Sequence, residues 1–167
     1  MRILVACLGN NLRGDDGVGV EIARRLRHET LPPEVEVEEF GIGGVHLVQS
    51  LMAGEGDTAF GGLIVVDCAD RQRLPGTVMV IAPEITDPKD LSVGARHDFL
   101  ADMHYTNPER ALALAQGLHL LPERVVLVGI QPADTEQLSE EMSEPVVRAI
   151  PIAAAQVRSL WEEWLAR

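Results

Sequence analysis

Aromatic residues are scarce in this chain, at 4% of 167 residues, and there are only two cysteines. With so few rings, the core falls to aliphatic side chains. Hydrophobic residues still make up 46% of the chain, so Val, Leu, Ile and Ala must fill it, as in a sheet covered by helices. Cys7 and Cys68 are too few for a disulfide framework. The default for each is a buried, inert thiol; a nucleophile would need a His or a helix N-terminus beside it. Basic residues are also few. Fourteen Lys and Arg stand against 26 Asp and Glu, a formal net charge of −12, which argues against nucleic acid or an anionic membrane as main partner. No apolar run approaches the roughly 20 residues of a membrane span. Met1 leads straight into a strand, with no charged n-region ahead of an apolar h-region, so the expected location is cytoplasmic. The length suits one domain, residues 1–167, and no repeat, low-complexity tract or linker divides it.

The chain is organised around its first turn. Residues 3–8 form an unbroken apolar run, the pattern of a strand buried on both faces, and Gly9-Asn10-Asn11 ends it. Asp15 and Asp16 follow, just before a helical stripe of Val18, Val20, Ile22, Ala23 and Leu26 that predicts a helix over 16–28. Asp suits a helix start, where its carboxylate accepts orphan N–H groups. Gly9 and Gly14 have the spacing of a phosphate-binding loop, but that pattern demands Lys and Ser/Thr where Asp15 and Asp16 stand. Two carboxylates repel phosphate, so the turn suits a cation or a polarised group, with one Asp free to cap the helix.

The rest of the chain alternates strands with helices. A partly alternating strand over 35–40, near an edge, precedes Gly41-Ile42-Gly43-Gly44. This is no dinucleotide fingerprint: His46 occupies the position of its last glycine, and the site follows the wrong strand. His46 falls in a short helix over 45–52 as a packed or solvated side chain. Residues 63–66 are the most apolar strand, and Asp67 follows directly. An acid there is costly unless exposed or paired, so it is a turn residue or a functional group at the same sheet edge as Asp16. Residues 77–82 read as a strand close enough to pair antiparallel with the third. Residues 83–105 form a long polar loop with His97 and His104. Pro108 opens a helix, residues 125–130 are a second very apolar strand, Gln131-Pro132 stops it, and a long helix starts near Glu144, interrupted by Pro151. The expected fold is α/β: a three-layer α/β/α sandwich around an about five-stranded, mostly parallel twisted sheet, with the first, third and fifth strands central.

Asp16, Asp67 and His104 are the candidates for convergence. Two carboxylates and an imidazole, without thiolate, form a donor set for nickel, zinc or manganese, and three protein ligands leave coordination positions open for chemistry.

Gly9-Asn10-x-Leu12-x-x-Asp15-Asp16-Gly17-x-Gly19 resembles the N-terminal signature of the hydrogenase maturation proteases, endopeptidases that trim the C-terminus of the large subunit of nickel–iron hydrogenases. Ile64-Val65-Val66-Asp67-Cys68-Ala69, Pro75-Gly76-Thr77, Val128-Gly129-Ile130-Gln131-Pro132 and Leu138-Ser139 fit the same family in the same order, so the resemblance spans nearly the whole chain. It implies that Asp16, Asp67 and His104 bind nickel, with Asp16 and Asp67 also catalytic. It implies further that the nickel arrives in the large-subunit precursor, whose C-terminal extension is then removed, and that no nucleotide or organic cofactor takes part. There are departures. Glu39-Phe40-Gly41-Ile42-Gly43-Gly44 replaces the usual Asp-Gly-Gly-Thr, in a region expected to help recognise the substrate. His97 rivals His104, which is preferred for its distance from the strand at Val125. The alternatives are a metal-dependent hydrolase of a small substrate and a non-catalytic nickel-binding chaperone.

Overall fold

The computed structural model describes residues 1–54, 56, 59–95, 108–136 and 138–167. Its strands are β1 (Arg2–Leu8), β2 (Val35–Gly41), β3 (Phe60–Cys68), β4 (Val78–Ile81) and β5 (Arg124–Ile130). The described helices are α1 (Val18–Arg27), α2 (Gly44–Ala53), α3 (Pro108–Gly117) and α4 (Glu144–Leu165). The strands form one sheet in the order β2-β1-β3-β5-β4, with only β4 antiparallel. The expected α/β sandwich and the central place of the three most apolar strands are found.

Burial explains the layers. Along β1 and β3 alternate residues point to opposite faces. Ile3, Val5 and Cys7 join Ile64 and Val66 against α1 and α4, while Leu4, Ala6 and Leu8 join Leu63 and Val65 against α2 and α3. On α1 the buried Val18, Ile22, Ala23 and Leu26 lie on one face. Arg24, Arg25 and Arg27 occupy its last turn, where positive charge suits the dipole. Fully burying an aliphatic side chain of this kind is worth about 1.5–3 kcal/mol, so the sheet's two faces dominate the folding energy.

Two expectations need correction. Residues 14–17 form a 3-10 turn, and α1 begins only at Val18. Neither Asp15 nor Asp16 makes a side-chain cap on it. The fourth strand pairs with β5 rather than with the third, Val78 facing Ile130 and Ile81 facing Leu127. Both edges of β3 are already taken by β1 and β5. The chain after β3 therefore crosses the end of β5, held by Ala69 N–H to the Ile130 carbonyl (2.9 Å), Gly76 N–H to the Gln131 carbonyl (2.8 Å) and Gln131 N–H to the Thr77 carbonyl (2.9 Å). It then fills the free outer edge.

The strand order fixes where a ligand site belongs. The chain leaves β1 toward β2 on one side and reaches β5 from β3 on the other. The crevice between the carboxyl ends of β1 and β3 is thus a topological switch point, the usual ligand position in open α/β sheets.

Candidate active site

Asp16 and Asp67 flank that switch point. Gly9 ends β1 with φ +145°, and its N–H donates to the Gly41 carbonyl at the end of β2 (3.0 Å). The chain then doubles back: Asn10 N–H donates to the Asp16 carbonyl (3.1 Å) and Asp16 N–H to the Arg13 carbonyl (3.2 Å). A side chain on Gly9 would place its Cβ 2.2 Å from the Asp16 carbonyl oxygen. Only glycine allows this approach, so the spacing that mimics a phosphate loop serves instead to fold Asp16 against the end of β1. Gly41, with φ +54°, turns the chain out of β2 beside it, and His46 is exposed on α2.

Asp67 is the second-last residue of β3, opposite Gly129 of β5, and is only 3% exposed. One carboxylate oxygen accepts the Cys68 N–H (2.8 Å). Burial pushes its carboxyl well above the usual range, the charge of Asp16 adds to this, and the Cys68 N–H opposes it. Asp16, half-buried, is also raised by burial, against the opposing Arg13 charge and the Asn10 N–H. Among the described residues neither carboxylate has an ion-pair partner. Two such carboxylates in mutual reach of their fields favour a proton or a cation between them.

The third expected ligand, His104, and its rival His97 lie outside the described residues. Among the described residues no three metal-ligating side chains converge. Asp16 and Asp67 thus supply two hard oxygen donors whose chemistry fits a divalent cation.

Asp15 behaves differently from its neighbour. It is 2% exposed, and its carboxylate accepts four donors. These are the N–H groups of Ala133 (2.7 Å), Asp134 (3.3 Å) and Ser143 (2.7 Å) and the Ser143 hydroxyl (2.9 Å). It ties the first turn to the chain after β5 and to the start of α4, more than a hundred residues on. Gln131, 5% exposed, is a second brace. Its side-chain oxygen accepts the N–H groups of Arg71 (2.8 Å) and Arg73 (3.1 Å), and its amide donates to Asp70 (2.9 Å). That bond and the Gln72 N–H hold the Asp70 carboxyl below its usual range. Gln131 therefore fixes the loop that follows Asp67. The sequence offered one signal for these braces, an acid and an amide placed beside breaks in apolar strands, but nothing that named their partners.

Neither thiol is built for nucleophilic chemistry. Burial raises Cys7, which is fully enclosed, and also Cys68, where Asp67 and Asp16 add to the effect. The thiolate is disfavoured at both.

A sequence model of the hydrogenase maturation protease family matches residues 20–160. A Methanocaldococcus jannaschii protein provisionally named as a hydrogenase maturation protease is 32% identical over 161 residues, covering 93% of this chain and 96% of that relative. The hydrogenase expression/formation protein HupD of Rhizobium leguminosarum is 31% identical over 168 residues, covering 98% of this chain and 75% of its own length. Among solved structures, the hydrogenase maturating endopeptidase HybD from E. coli superposes with a TM-score of 0.75 at 25% identity, covering 98% of this chain and 93% of that one.

Proposed function

The chain belongs to the hydrogenase maturation protease family, and from that premise we propose that it removes the C-terminal extension of a nickel-loaded nickel–iron hydrogenase large-subunit precursor. The observation that carries this reading is that Asp67 at the end of β3 lies within the field of Asp16 in the turn after β1, and neither carboxylate has an ion-pair partner among the described residues. The substrate supplies the cation. Asp16, Asp67 and His104 contact the nickel that the precursor brings, and the scissile peptide is thereby held over the carboxyl ends of β1 and β3.

Hydrolysis needs a polarised carbonyl and a water that loses a proton as it attacks. A divalent metal supplies Lewis acidity. A carboxylate at the site, Asp16 or Asp67, would accept the water's proton and pass it to the leaving amine. Asp67 is also shielded from bulk water by burial in β3, where electrostatic interactions are stronger. Among the described residues no helix is long and apolar enough to cross a membrane, which accords with a cytoplasmic precursor as partner.

The test is mass spectrometry of a large-subunit precursor incubated with the purified protein, with nickel and without. One cut near the C-terminus of the loaded form alone is the expected result. Equal cutting of both forms refutes the role of nickel. Binding of loaded precursor without shortening points to a chaperone, and cleavage of a small substrate with retained zinc points to a metallohydrolase.

A further inference from the structure

The two adjacent acids of the first turn divide their labour. Asp16 faces the crevice, while the Asp15 carboxylate is consumed by four donors from residues 133, 134 and 143. Ser143 is the residue before α4, with φ −63° and ψ 148°, the position from which a serine ordinarily caps its own helix. Here it makes no such cap; its hydroxyl and its N–H both go to Asp15. A second tie lies alongside: Gly14 N–H donates to the Ser139 carbonyl (2.6 Å) and Ser139 N–H to the Leu12 carbonyl (3.1 Å). The 3-10 turn is therefore clamped to the start of α4. That helix is itself locked into the core by Val146, Ala149, Ala153, Val157 and Trp161.

We propose that Asp15 and Ser143 are a positioning pair for Asp16. The backbone of Asp16 is hydrogen-bonded to Arg13 and Asn10 in its own loop and leads into the packed start of α1. The peptide bond from Asp15 couples it to a second rigid element, α4. The place of Asp16 over the crevice is thus set by α4 on one side as well as by the close approach of Gly9 on the other. This deepens the reading of Asp16 as a group that acts on the precursor and rests on it.

Ser143→Ala removes the one side-chain donor and leaves three backbone donors to Asp15, so the fold survives. Ser143→Thr returns the hydroxyl on an extended backbone that a β-branched residue adopts readily. Processing of nickel-loaded precursor, measured well below the melting transition, is expected to show kcat about tenfold lower in Ser143→Ala with KM within about twofold, as for a group that matters in the transition state. Ser143→Thr restores it. Independently of any substrate, amide hydrogen exchange followed by NMR should show the Asp16 N–H exchanging at least about tenfold faster in Ser143→Ala, with the central β3 amides unchanged. An Asp16 amide as protected as in the wild type overturns the positioning pair, and so does a kcat loss that Ser143→Thr fails to restore. If the wild type leaves the precursor uncut, the functional reading fails by itself, and the exchange measurement still decides the coupling.

Discussion

Gly9→Ala is a test of the site made from the backbone, without touching either carboxylate. At φ +145° an alanine is strained before any contact is counted, at a cost of about 1–3 kcal/mol. Its Cβ would also stand 2.2 Å from the Asp16 carbonyl oxygen and 3.3 Å from the carbonyl carbon. Reaching van der Waals separation requires the two backbones to part by about 1.3 Å. Neither can yield cheaply, because Gly9 follows the buried end of β1 and Asp16 leads into the packed start of α1. Overpacking of this kind costs a further ~1–3 kcal/mol. The expected fall in Tm is roughly 5–15 °C for a chain of this size. The effect on function is larger than on stability. A displacement of about 1 Å at a reacting group is worth on the order of a hundredfold in rate, and here Asp16 itself is displaced. Calorimetry gives the Tm, and precursor processing measured well below it gives the rate. Gly94→Ala is the control: among the described residues nothing lies within 4 Å of a Cβ there, so both measurements should match the wild type. A Gly9→Ala protein that processes precursor at the wild-type rate refutes the claim that this glycine sets the position of Asp16.

Asp16→Asn and Asp67→Asn should each lower processing by orders of magnitude while the fold survives. For Asp67 the sign of the stability change is fixed by its raised carboxyl. The folded state holds a proton that the unfolded chain releases, so stability falls as pH rises from the ordinary carboxylate range into the raised one. Asp67→Asn should therefore melt at or above the wild-type temperature at neutral pH and lose that pH dependence, and thermal melts from acid to neutral pH check it. Metal affinity measured by calorimetry should weaken as pH falls through the histidine range near ~6.5. Ligation competes with protonation, so excess nickel should move that fall to lower pH. His104→Ala should abolish the step, and His97→Ala should leave it; the reverse result reassigns the third ligand. Gln131→Ala should cost about 1–3 kcal/mol, since it removes the acceptor of the Arg71 and Arg73 N–H groups and the Asp70 contact, on a loop whose residues water can reach.

The parts of the fold that depend on local pattern were legible. Residues 3–8, 63–66 and 126–130 are apolar on both faces because they are buried on both faces, and that pattern needs no knowledge of partners. Asp67 stood out for a related reason: a charge placed directly after such a run violates the burial pattern and marks a strand end, whereas Asp16 stood out as an acid at the turn into the first helix. What could not be read is pairing at a distance. The outer place of β4 depends on which edges of β3 are already occupied, a property of the assembled sheet. The role of Asp15 was missed because its nearest partner in sequence is Ala133, 118 residues away. A capping role is what an isolated turn predicts for an acid before a helix. The tertiary donors at residues 133, 134 and 143 outcompeted the helix's own N–H groups, and the turn tightened to 3-10 geometry instead.

On the proposed reading, the arrangement of charge also bears on how the protein would distinguish a nickel-loaded precursor from an unloaded one. Burial raises the proton affinity of both Asp16 and Asp67, and the charge of Asp16 raises that of Asp67 further, so the doubly ionised free state is electrostatically unfavourable. A cation delivered between them relieves that repulsion, and any protons held there leave as it binds. Each tenfold of affinity gained this way corresponds to about 1.4 kcal/mol. Only a substrate that brings the cation gains it. An unloaded precursor presents the same peptide to the same crevice but leaves the carboxylates as they were. On that proposal, discrimination would arise as a difference of affinities between two nearly identical substrates, with no movement of the sheet required. The braces at Asp15 and Gln131 fit this logic. Two like charges gain from a shared cation only while they are kept close, and left to themselves they would drift apart. The hydrogen bonds from residues 133, 134 and 143 on one side, and from Gln131 to the loop after Asp67 on the other, oppose that drift.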